Sequence, residues 1–267
     1  MSTLSFKAKC AMALCFDIFG INAILRKQKR KQYNNNFIRV VNYHDTKAEY
    51  ASNFEKQLKW YKKHYVNVSY DDFRKFIGGE KTYIDRPGVM LTFDDGFKQN
   101  KTVGAKLLNE YGFTGYFFVS SDLVDKDKYM STDDLKDLIK ENHVIGCHTA
   151  THHRMDVSDT EETLNKEIVD SKKTLERKTE SEITSFCWVG GEEEHYTKEA
   201  ANKIKSSGYK YSFMTNSEVL TPNTNPLQIQ RTNVETFWSM ALLRFQLSGF
   251  QDKRYKGKRD RVNDLTK

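Results

Sequence analysis

Strand-like and helix-like segments alternate about seven times between residues 37 and 250, and this alternation constrains the fold of the 267-residue chain more than any other feature. Short runs of aromatic and β-branched residues predict the strands, and apolar residues at helical spacing predict the helices between them. Such alternation is typical of βαβ units, in which helices join parallel strands. Because no repeat or linker interrupts the region, we expect one domain over residues 37–250, an α/β fold built on a parallel sheet.

The predicted elements follow one another at short intervals. Strands are expected at residues 37–43, 89–93, 114–119, 144–147, 185–188, 209–215 and 228–234. Helices are expected at residues 52–65, 71–77, 98–111, 132–140, 158–178, 197–207 and 236–247. Ser131 or Thr132 is expected to cap the fourth helix, and Ser158 the fifth, with Glu161 at capping-box distance.

Basic residues are concentrated at the two ends of the chain. Residues 1–43 contain eight Lys or Arg with Asp17 as the single acid, and residues 251–267 contain seven Lys or Arg with three Asp. Residues 44–250 contain 28 basic and 32 acidic residues. A nucleic-acid-binding protein more often carries its basic surface on the folded domain, so we expect no nucleic-acid partner. Residues 251–267 are interpreted as a basic C-terminal tail. Both ends of the chain are expected either to be solvated or to contact anionic lipid.

Residues 1–36 are predicted to form a basic amphipathic N-terminal segment. Its apolar part, residues 10–25, contains Asp17, Gly20 and Asn22, and it is shorter than the roughly 20 apolar residues of a membrane-spanning helix. It also lacks the clean apolar centre and small-residue cleavage site of a signal peptide. Two interpretations stay open: a helix docked on the domain, or a helix in the membrane interface that gives residues 1–31 a peripheral contact with lipid.

The four cysteines, Cys10, Cys15, Cys147 and Cys187, are scattered and form no C-x-x-C pair. Scattered cysteines indicate free thiols and a reducing compartment. We therefore expect a cytoplasmic protein, with the inner face of the membrane as the alternative that the N-terminal segment suggests.

Polar residues that are unusual for a core follow several predicted strands. His44 ends the first strand, Asp94 and Asp95 follow the second, His148 follows the fourth, and Gly190 comes shortly after the fifth. In parallel α/β folds the chemistry lies beyond the carboxyl ends of the strands. We therefore expect these residues to meet at one end of the sheet.

Asp95, His148 and His152 have the composition of a catalytic metal site. Adjacent carboxylates such as Asp94 and Asp95 repel each other unless something offsets their charge, and two histidines four positions apart can share a metal on a tightly turned backbone. Two imidazoles and one carboxylate leave a position open for water, whereas a structural zinc site is closed by a fourth ligand. Each feature alone also has a plainer explanation, since Asp-Gly is a common turn and loop histidines are often solvated.

Residues 92–96, T-F-D-D-G, followed about fifty positions later by residues 148–152, H-T-A-T-H, resemble the polysaccharide deacetylase family, the NodB-like carbohydrate esterases of family four. The resemblance covers roughly residues 37–235. It implies a distorted (β/α) barrel with about seven parallel strands and one divalent metal, zinc first, with manganese, cobalt or nickel as alternatives. It also implies a hydrolase that removes N-acetyl groups from a carbohydrate.

The resemblance implies a role for each residue of the two motifs. Asp94 would be the catalytic base, and Asp95, His148 and His152 would be the metal ligands. His153 stands where the family commonly has a proline, so a shifted pairing of His148 with His153 is the alternative.

Residues 41–44, V-N-Y-H, look like the Y-H element of one branch of the family. In that branch the histidine is the general acid, so His44 would take this role here. A histidine that ends a strand is also often a packed core residue, and this plainer interpretation stays open.

Residues 186–191, F-C-W-V-G-G, resemble a third family motif that is usually F-x-Y-P-Y-G, and they depart from it in losing the proline and an aromatic residue. By the resemblance, the N–H of Gly190 would hold the oxyanion, and Trp188 is the candidate platform for the sugar. Arg231, in the last predicted strand, would orient Asp94 or form an ordinary surface ion pair.

Together these features predict a metal-dependent polysaccharide N-deacetylase whose partner is an N-acetylated glycan. Two alternatives stay open. The altered loop at residues 188–191 favours a catalytically weakened carbohydrate-binding protein on the same fold. The basic N-terminal segment favours an enzyme that removes a formyl or acetyl group from a lipid-linked sugar.

Overall fold

The computed structural model of the chain describes residues 3–267, with side chains from Phe6 onwards. In this part of the chain the strands are β1 (Ile38–Tyr43), β2 (Val66–Asn67), β3 (Gly88–Phe93), β4 (Gly115–Val119), β5 (Val144–Cys147), β6 (Ser185–Cys187), β7 (Tyr211–Met214), β8 (Val219–Leu220), β9 (Ile229–Gln230) and β10 (Thr232–Asn233).

The α-helices are α1 (Thr3–Ile18), α2 (Ile21–Gln32), α3 (Ala51–His64), α4 (Tyr70–Ile77), α5 (Lys106–Tyr111), α6 (Thr132–Lys140), α7 (Glu161–Leu164), α8 (Ser171–Thr179), α9 (Lys198–Ser206), α10 (Met240–Gln246), α11 (Phe250–Arg254) and α12 (Lys256–Leu265). Short 3₁₀ turns lie at Ala48–Tyr50 and Glu193–His195. Two π-helical stretches, Asn100–Ala105 and Asn165–Asp170, lead directly into α5 and α8.

The main sheet closes into a barrel through one interrupted strand. Its order is β10-β1-β3-β4-β5-β6-β7-β9, and every neighbouring pair in this order is parallel. Only Arg231 separates β9, which pairs with β7, from β10, which pairs with β1. β9 and β10 therefore act together as the seventh strand of the barrel, and they join the edge formed by β7 to the edge formed by β1. The expected distorted (β/α) barrel with about seven parallel strands is confirmed.

Two short strands outside this path were absent from the sequence-based expectation. β2 pairs with β3 in parallel at Gly88 and Val89, and β8 pairs with β1 in an antiparallel manner at Ile38 and Arg39. Each of the two strands has two residues, so neither has a periodic pattern that sequence alone could reveal.

Apolar side chains fill two layers, one inside the barrel and one between the sheet and the helices. Along β1, Ile38 and Val40 belong to the inner layer, and Val41 and Tyr43 belong to the outer layer. This alternation follows from the two-residue period of a strand, and burial on both faces explains why the parallel strands read as continuous apolar runs.

The helix expected from Ser158 begins three residues later. The hydroxyl of Ser158 donates to Oδ1 of Asp156 at 2.6 Å, which holds this residue in a turn. Thr160 is the actual N-cap, because its side chain accepts from the N–H of Thr163 at 3.2 Å. The first helical residue is therefore Glu161.

Residues 251–267, expected to be a solvated tail, instead fold as part of α11 and as α12, packed on the barrel. The reason is a buried ion pair that composition does not reveal. Asp252 is 2% exposed and receives two hydrogen bonds, at 2.8 and 2.9 Å, from the guanidinium of Arg39, which is 1% exposed and lies on β1. Most basic residues of this segment lie on the outer surface of the two helices, but Arg259 is buried and donates to the carbonyl oxygens of Asn216 and Ser217.

The N-terminal segment forms two helices that bend at Gly20, where φ is 69°. One face of α1 packs on α10, where Phe16 contacts Phe245 edge to face and Asp17 pairs with Arg244 at 2.6 and 2.8 Å. Within residues 3–267, no single helix is long and apolar enough to cross a membrane; only Phe6–Ile18 and Ile21–Gln32 taken together, bent by 78°, reach the required length and apolar content.

Candidate active site

A cavity of about 440 Å³ lies at the carboxyl ends of the barrel strands. Its wall includes His44, Asp94, Asp95, His148, His152 and Gly190. The expectation that the strand-end polar residues meet at one end of the sheet therefore describes the structure well. The parallel register explains why, because Tyr43 of β1 lies beside Phe93 of β3, so that His44 and Asp94 leave the sheet at the same level.

Asp94 is buried and held by Arg231 in a bidentate ion pair, with N–O distances of 2.6 and 2.8 Å. The alternative of a surface ion pair is wrong, because the Arg231 side chain is only 1% exposed. Burial acts against ionisation of Asp94, but the guanidinium of Arg231 and the imidazole of His148 outweigh it and hold the pKa of Asp94 below its usual range. Asp94 is therefore an anion of fixed orientation at neutral pH.

Asp95, His148 and His152 converge on a single carboxylate oxygen. Nε2 of His148 lies 3.5 Å and Nε2 of His152 lies 3.0 Å from Oδ1 of Asp95. Nδ1 of His148 lies 2.9 Å from the carbonyl oxygen of Cys187, which can only accept, so this nitrogen carries the proton. Burial would raise the pKa of Asp95, but the two imidazoles hold it well below its usual range.

The backbone that carries this cluster is left-handed at three non-glycine residues. Asp95 has φ of 70°, and Thr149 and His152 both have φ of 65°. Each such residue costs on the order of 1–2 kcal/mol, and such conformations concentrate at functional sites. The two histidines can therefore lie only 5.2 Å apart between ring centres without a regular helix between them.

Glu167 holds the histidine loop in this shape, and sequence analysis missed it. Its buried carboxylate accepts from the N–H groups of Ala150 and Thr151 at 2.9 Å each, and from the hydroxyl of Thr151 at 2.9 Å. Glu167 lies in the second π-helical stretch, and such stretches are frequent near functional sites. No spacing rule links a helical Glu to a loop sixteen positions earlier, so the sequence contains no signal for this contact.

His44 lines the cavity and pairs with Glu235, the residue that follows the last expected strand. Nδ1 of His44 lies 2.7 Å from Oε1 of Glu235. Burial lowers the pKa of His44, but the hydrogen bond and the charge of Glu235 outweigh it and raise this pKa to about 9. A protonated imidazole is thus the main form at neutral pH. Glu235 also follows the carboxyl end of a strand, which was the available signal for it.

The loop after β6 brings Gly190 to the cavity but turns Trp188 away from it. Gly190 has φ of 83°, a conformation that favours glycine. Trp188 is only 1% exposed, and its indole N–H donates to the hydroxyl of Ser212 at 2.8 Å. The expected role of Trp188 as a sugar platform is therefore wrong. The strand period gives the reason, because Cys187 takes the inward position and Trp188 the next, outward one.

The folded C-terminal helices supply part of the cavity wall, which the sequence-based view of a tail excluded. Tyr255 and Lys258 line the cavity, and the ammonium of Lys258 donates to the carbonyl oxygen of Gly191. Arg261 forms a bidentate pair with Glu193 at 2.7 Å on the same loop. The loop that lacks the family's proline is thus held by contacts from α12.

The remaining candidates lie outside the cluster. His153 pairs with Asp159 at 2.8 Å, so the structure does not bring it to His148 and Asp95 as the alternative pairing required. Cys147 points away from the cavity to the hydroxyl of Ser171 at 3.0 Å. All four cysteines are free.

A sequence profile described as polysaccharide deacetylase matches residues 81–212. Over this part of the chain, the sequence is therefore similar to the polysaccharide deacetylase family. Among relatives, the poly-β-1,6-N-acetyl-D-glucosamine N-deacetylase of Staphylococcus aureus is 22% identical over 245 residues, which cover 85% of this chain and 80% of that protein. YxkH of Bacillus subtilis, described as a polysaccharide deacetylase, is 23% identical over 127 residues, or 48% of this chain, and the match spans 44% of YxkH.

The fold of this chain is also found in solved structures. The deacetylase PplD of Streptococcus pyogenes, solved in complex with acetate, has a TM-score of 0.69 and 18% identity, with coverage of 79% of this chain and 98% of that chain. At this identity the likeness concerns the fold, and it agrees with the barrel described above.

Proposed function

We propose that this chain is a metal-dependent hydrolase that removes N-acetyl groups from a glycan. The observation that carries the proposal is the meeting of Asp94, Asp95, His44, His148 and His152 in one cavity. Hydrolysis of an amide needs a base, an acid and a group that polarises the carbonyl, and this set contains candidates for all three. The substrate class, an N-acetylated glycan, is extended to this chain from the name of the Staphylococcus aureus relative.

The side chains of Asp95, His148 and His152 fit one divalent cation. Carboxylate oxygen and imidazole nitrogen are ligands of zinc, our first choice over manganese, cobalt or nickel, and three protein ligands leave a coordination position open. Oδ1 of Asp95 is buried and accepts no hydrogen bond within the described residues, although Nε2 of His148 and of His152 lie 3.5 and 3.0 Å from it. Three ligand atoms that face one another without a hydrogen bond fit a cation between them. A bound cation would act as a Lewis acid on the scissile carbonyl and would lower the pKa of water.

Asp94 is the proposed base. Its lowered pKa keeps it ionised, and each carboxylate oxygen has lone pairs beyond the one that Arg231 occupies. In the proposed step, a water oxygen attacks the carbonyl carbon of the acetamide, and Asp94 accepts the proton that the water loses. Arg231 fixes the orientation of the carboxylate and is a positioning residue.

His44 is the proposed acid. Nδ1 is taken by Glu235, so Nε2 is the nitrogen left to donate a proton into the cavity. The N–H of Gly190 is proposed to donate to the oxyanion that forms on the attacked carbonyl. When the C–N bond breaks, the departing nitrogen takes the proton of His44, and the products are acetate and a free amino group on the sugar.

Matched single substitutions test this proposal. Asp94→Asn should lower acetate release by roughly 10²–10⁴-fold while the protein keeps its metal, because the change removes the proton acceptor and leaves Asp95, His148 and His152 in place. It also removes the charge that faces buried Arg231, so circular dichroism must show that the variant is folded. His152→Ala should lose both metal and activity, whereas His153→Ala, its neighbour that pairs with Asp159, should keep both. The measurements are metal content by mass spectrometry and acetate release from β-1,6- and β-1,4-linked N-acetylglucosamine oligomers.

Two outcomes would contradict the proposal. Full activity of Asp94→Asn would remove the assignment of the base. Wild-type protein that carries metal and binds these oligomers but releases no acetate would instead be a carbohydrate-binding protein, the alternative that the altered Gly190 loop favours. A lipid-linked N-acyl sugar in the same panel distinguishes a membrane-bound substrate from a soluble one.

A further inference from the structure

Helix α1 exposes an apolar stripe on the face opposite to its packing contact. Ala13 is fully buried, and Phe16 packs between Phe245 and Phe250 at centroid distances of 5.3 and 5.7 Å. The outer face, by contrast, exposes small and apolar side chains at helical spacing: Ala8, Ala11, Leu14, Cys15 and Ile18. α1 is therefore apolar on both sides, although only one side is covered by the protein.

The stripe continues across the bend between the two N-terminal helices. Ile18 is 70% and Phe19 is 74% exposed at the bend, and Ile24 is 55% exposed one turn into α2. A surface helix of a water-soluble domain normally carries polar residues on its outer face. Contiguous exposed apolar side chains usually mark a site that contacts another apolar surface.

Exposed basic residues border this stripe on both sides. Lys7 precedes it on α1, and Lys27 and Lys31 follow Ile24 on the outer side of α2. The acid of the region, Asp17, is already paired with Arg244. The surface presented outward is thus apolar in the middle and positive at its ends.

We propose that this face of α1 and α2 lies in the surface of a membrane that contains anionic lipid. Apolar side chains of an interfacial helix enter the boundary of the acyl chains, while lysines at its edges contact the headgroup phosphates. The interaction is independent of the chemistry proposed for the cavity. It would hold the barrel at a lipid surface.

Charge favours lipid over a second copy of the chain as the occupant. A symmetric dimer through this face would bring the same stripe and the same lysines of both copies together. Lys7, Lys27 and Lys31 would then meet like charges with no acidic residue on the stripe to offset them. An anionic bilayer supplies both the apolar layer and the opposite charge.

Co-sedimentation of the full chain with vesicles tests the proposal. Vesicles of phosphatidylcholine with about one third phosphatidylglycerol should retain the protein at low salt, and vesicles of phosphatidylcholine alone should retain several-fold less. Ile18→Asp with Phe19→Asp should weaken binding at least about tenfold, because two apolar side chains lose their burial. Lys27→Glu with Lys31→Glu should weaken binding to the anionic vesicles only.

Val157→Asp is the matched control, because it places the same acid at a residue that is 83% exposed and outside the stripe. It should bind the anionic vesicles as wild type does. Circular dichroism and thermal melting check that every variant is folded, as expected for exposed positions. The proposal is overturned if wild-type protein binds neither vesicle, if Ile18→Asp with Phe19→Asp binds undiminished, or if light scattering shows a wild-type dimer that this double substitution dissociates.

Discussion

Replacing Glu235 by Gln tests whether His44 acts as a proton donor. Gln preserves the size of the side chain and offers an amide oxygen to Nδ1 of His44, but it removes the negative charge. Burial lowers the pKa of His44, and the contact with Glu235 at 2.7 Å, helped by the charges of Asp94 and Asp95, raises it to about 9 instead. Without the charge, burial remains, and the pKa should fall to about 6.5 or below.

The size of the effect follows from the protonated fraction. At pH 7.5 an imidazole with a pKa near 9 is roughly 97% protonated, and one with a pKa near 6.5 is roughly 9% protonated. A donor that is about tenfold less populated should lower kcat/KM about tenfold at this pH. A cation bound in the same cavity would lower both pKa values, and the ratio between the two proteins would then be tenfold or larger.

The assay is the pH profile of kcat/KM for acetate release. On the alkaline side, the activity of Glu235→Gln should decline at a pH about 2.5 units lower than that of wild type, because the donor loses its proton earlier. Glu192→Gln removes a charge from the same cavity wall without touching His44, so the alkaline side of its pH profile should coincide with that of wild type. If the alkaline side of Glu235→Gln coincides with that of wild type, His44 is not the acid.

Two further predictions concern stability. Asp252→Ala should lower the free energy of unfolding by about 3–5 kcal/mol in denaturant titrations, because buried Arg39 loses the carboxylate that pairs with it. Asp264→Ala, which removes an exposed ion pair with Lys267, should change the free energy of unfolding little. Equal effects of the two substitutions would refute this prediction. His143 is 5% exposed, its neutral ring accepts the N–H of Gly115 at 2.9 Å, and burial lowers its pKa to about 4. Since the unfolded chain binds this proton more tightly, stability should fall as pH drops from 6.5 towards 4, by roughly 2–3 kcal/mol at pH 4.5. His143→Gln should flatten that dependence, and an unchanged slope would contradict the assignment.

The strands of the barrel could be predicted because each is a compact apolar run. The run at residues 144–147 predicts a strand with the same bounds as β5, Val144–Cys147. Strand β8 could not be predicted, because two residues have no period and become a strand only through pairing with β1. The fold of the C-terminal segment escaped prediction for a similar reason, since the partner of Asp252 lies 213 positions away on β1.

Some residues of the site could be predicted because they stand in sequence motifs, whereas others reach the site only through the fold. Asp94, Asp95, His148 and His152 stand in two short motifs directly after strands, and parallel strands bring such positions to one edge. Trp188 was misassigned because its neighbour Cys187, not Trp188, takes the inward position. Lys258 carried no signal, because nothing local marks residues 251–267 as a wall of the cavity.

The two adjacent carboxylates at the centre of the site differ in how the protein offsets their charge. Asp94 has a permanent counter-charge in Arg231, with both oxygens bound. Asp95 faces Nε2 of His148. Nδ1 of that ring carries the proton and donates it to the carbonyl oxygen of Cys187. When the ring is neutral, Nε2 therefore presents a lone pair to the carboxylate of Asp95. A lone pair and a carboxylate oxygen 3.5 Å apart repel unless a positive charge lies between them. A proton on the ring or a metal cation would supply this charge. Only the cation could also engage His152 and the reacting carbonyl, so the position of Asp95 fits the metal that the proposed chemistry requires.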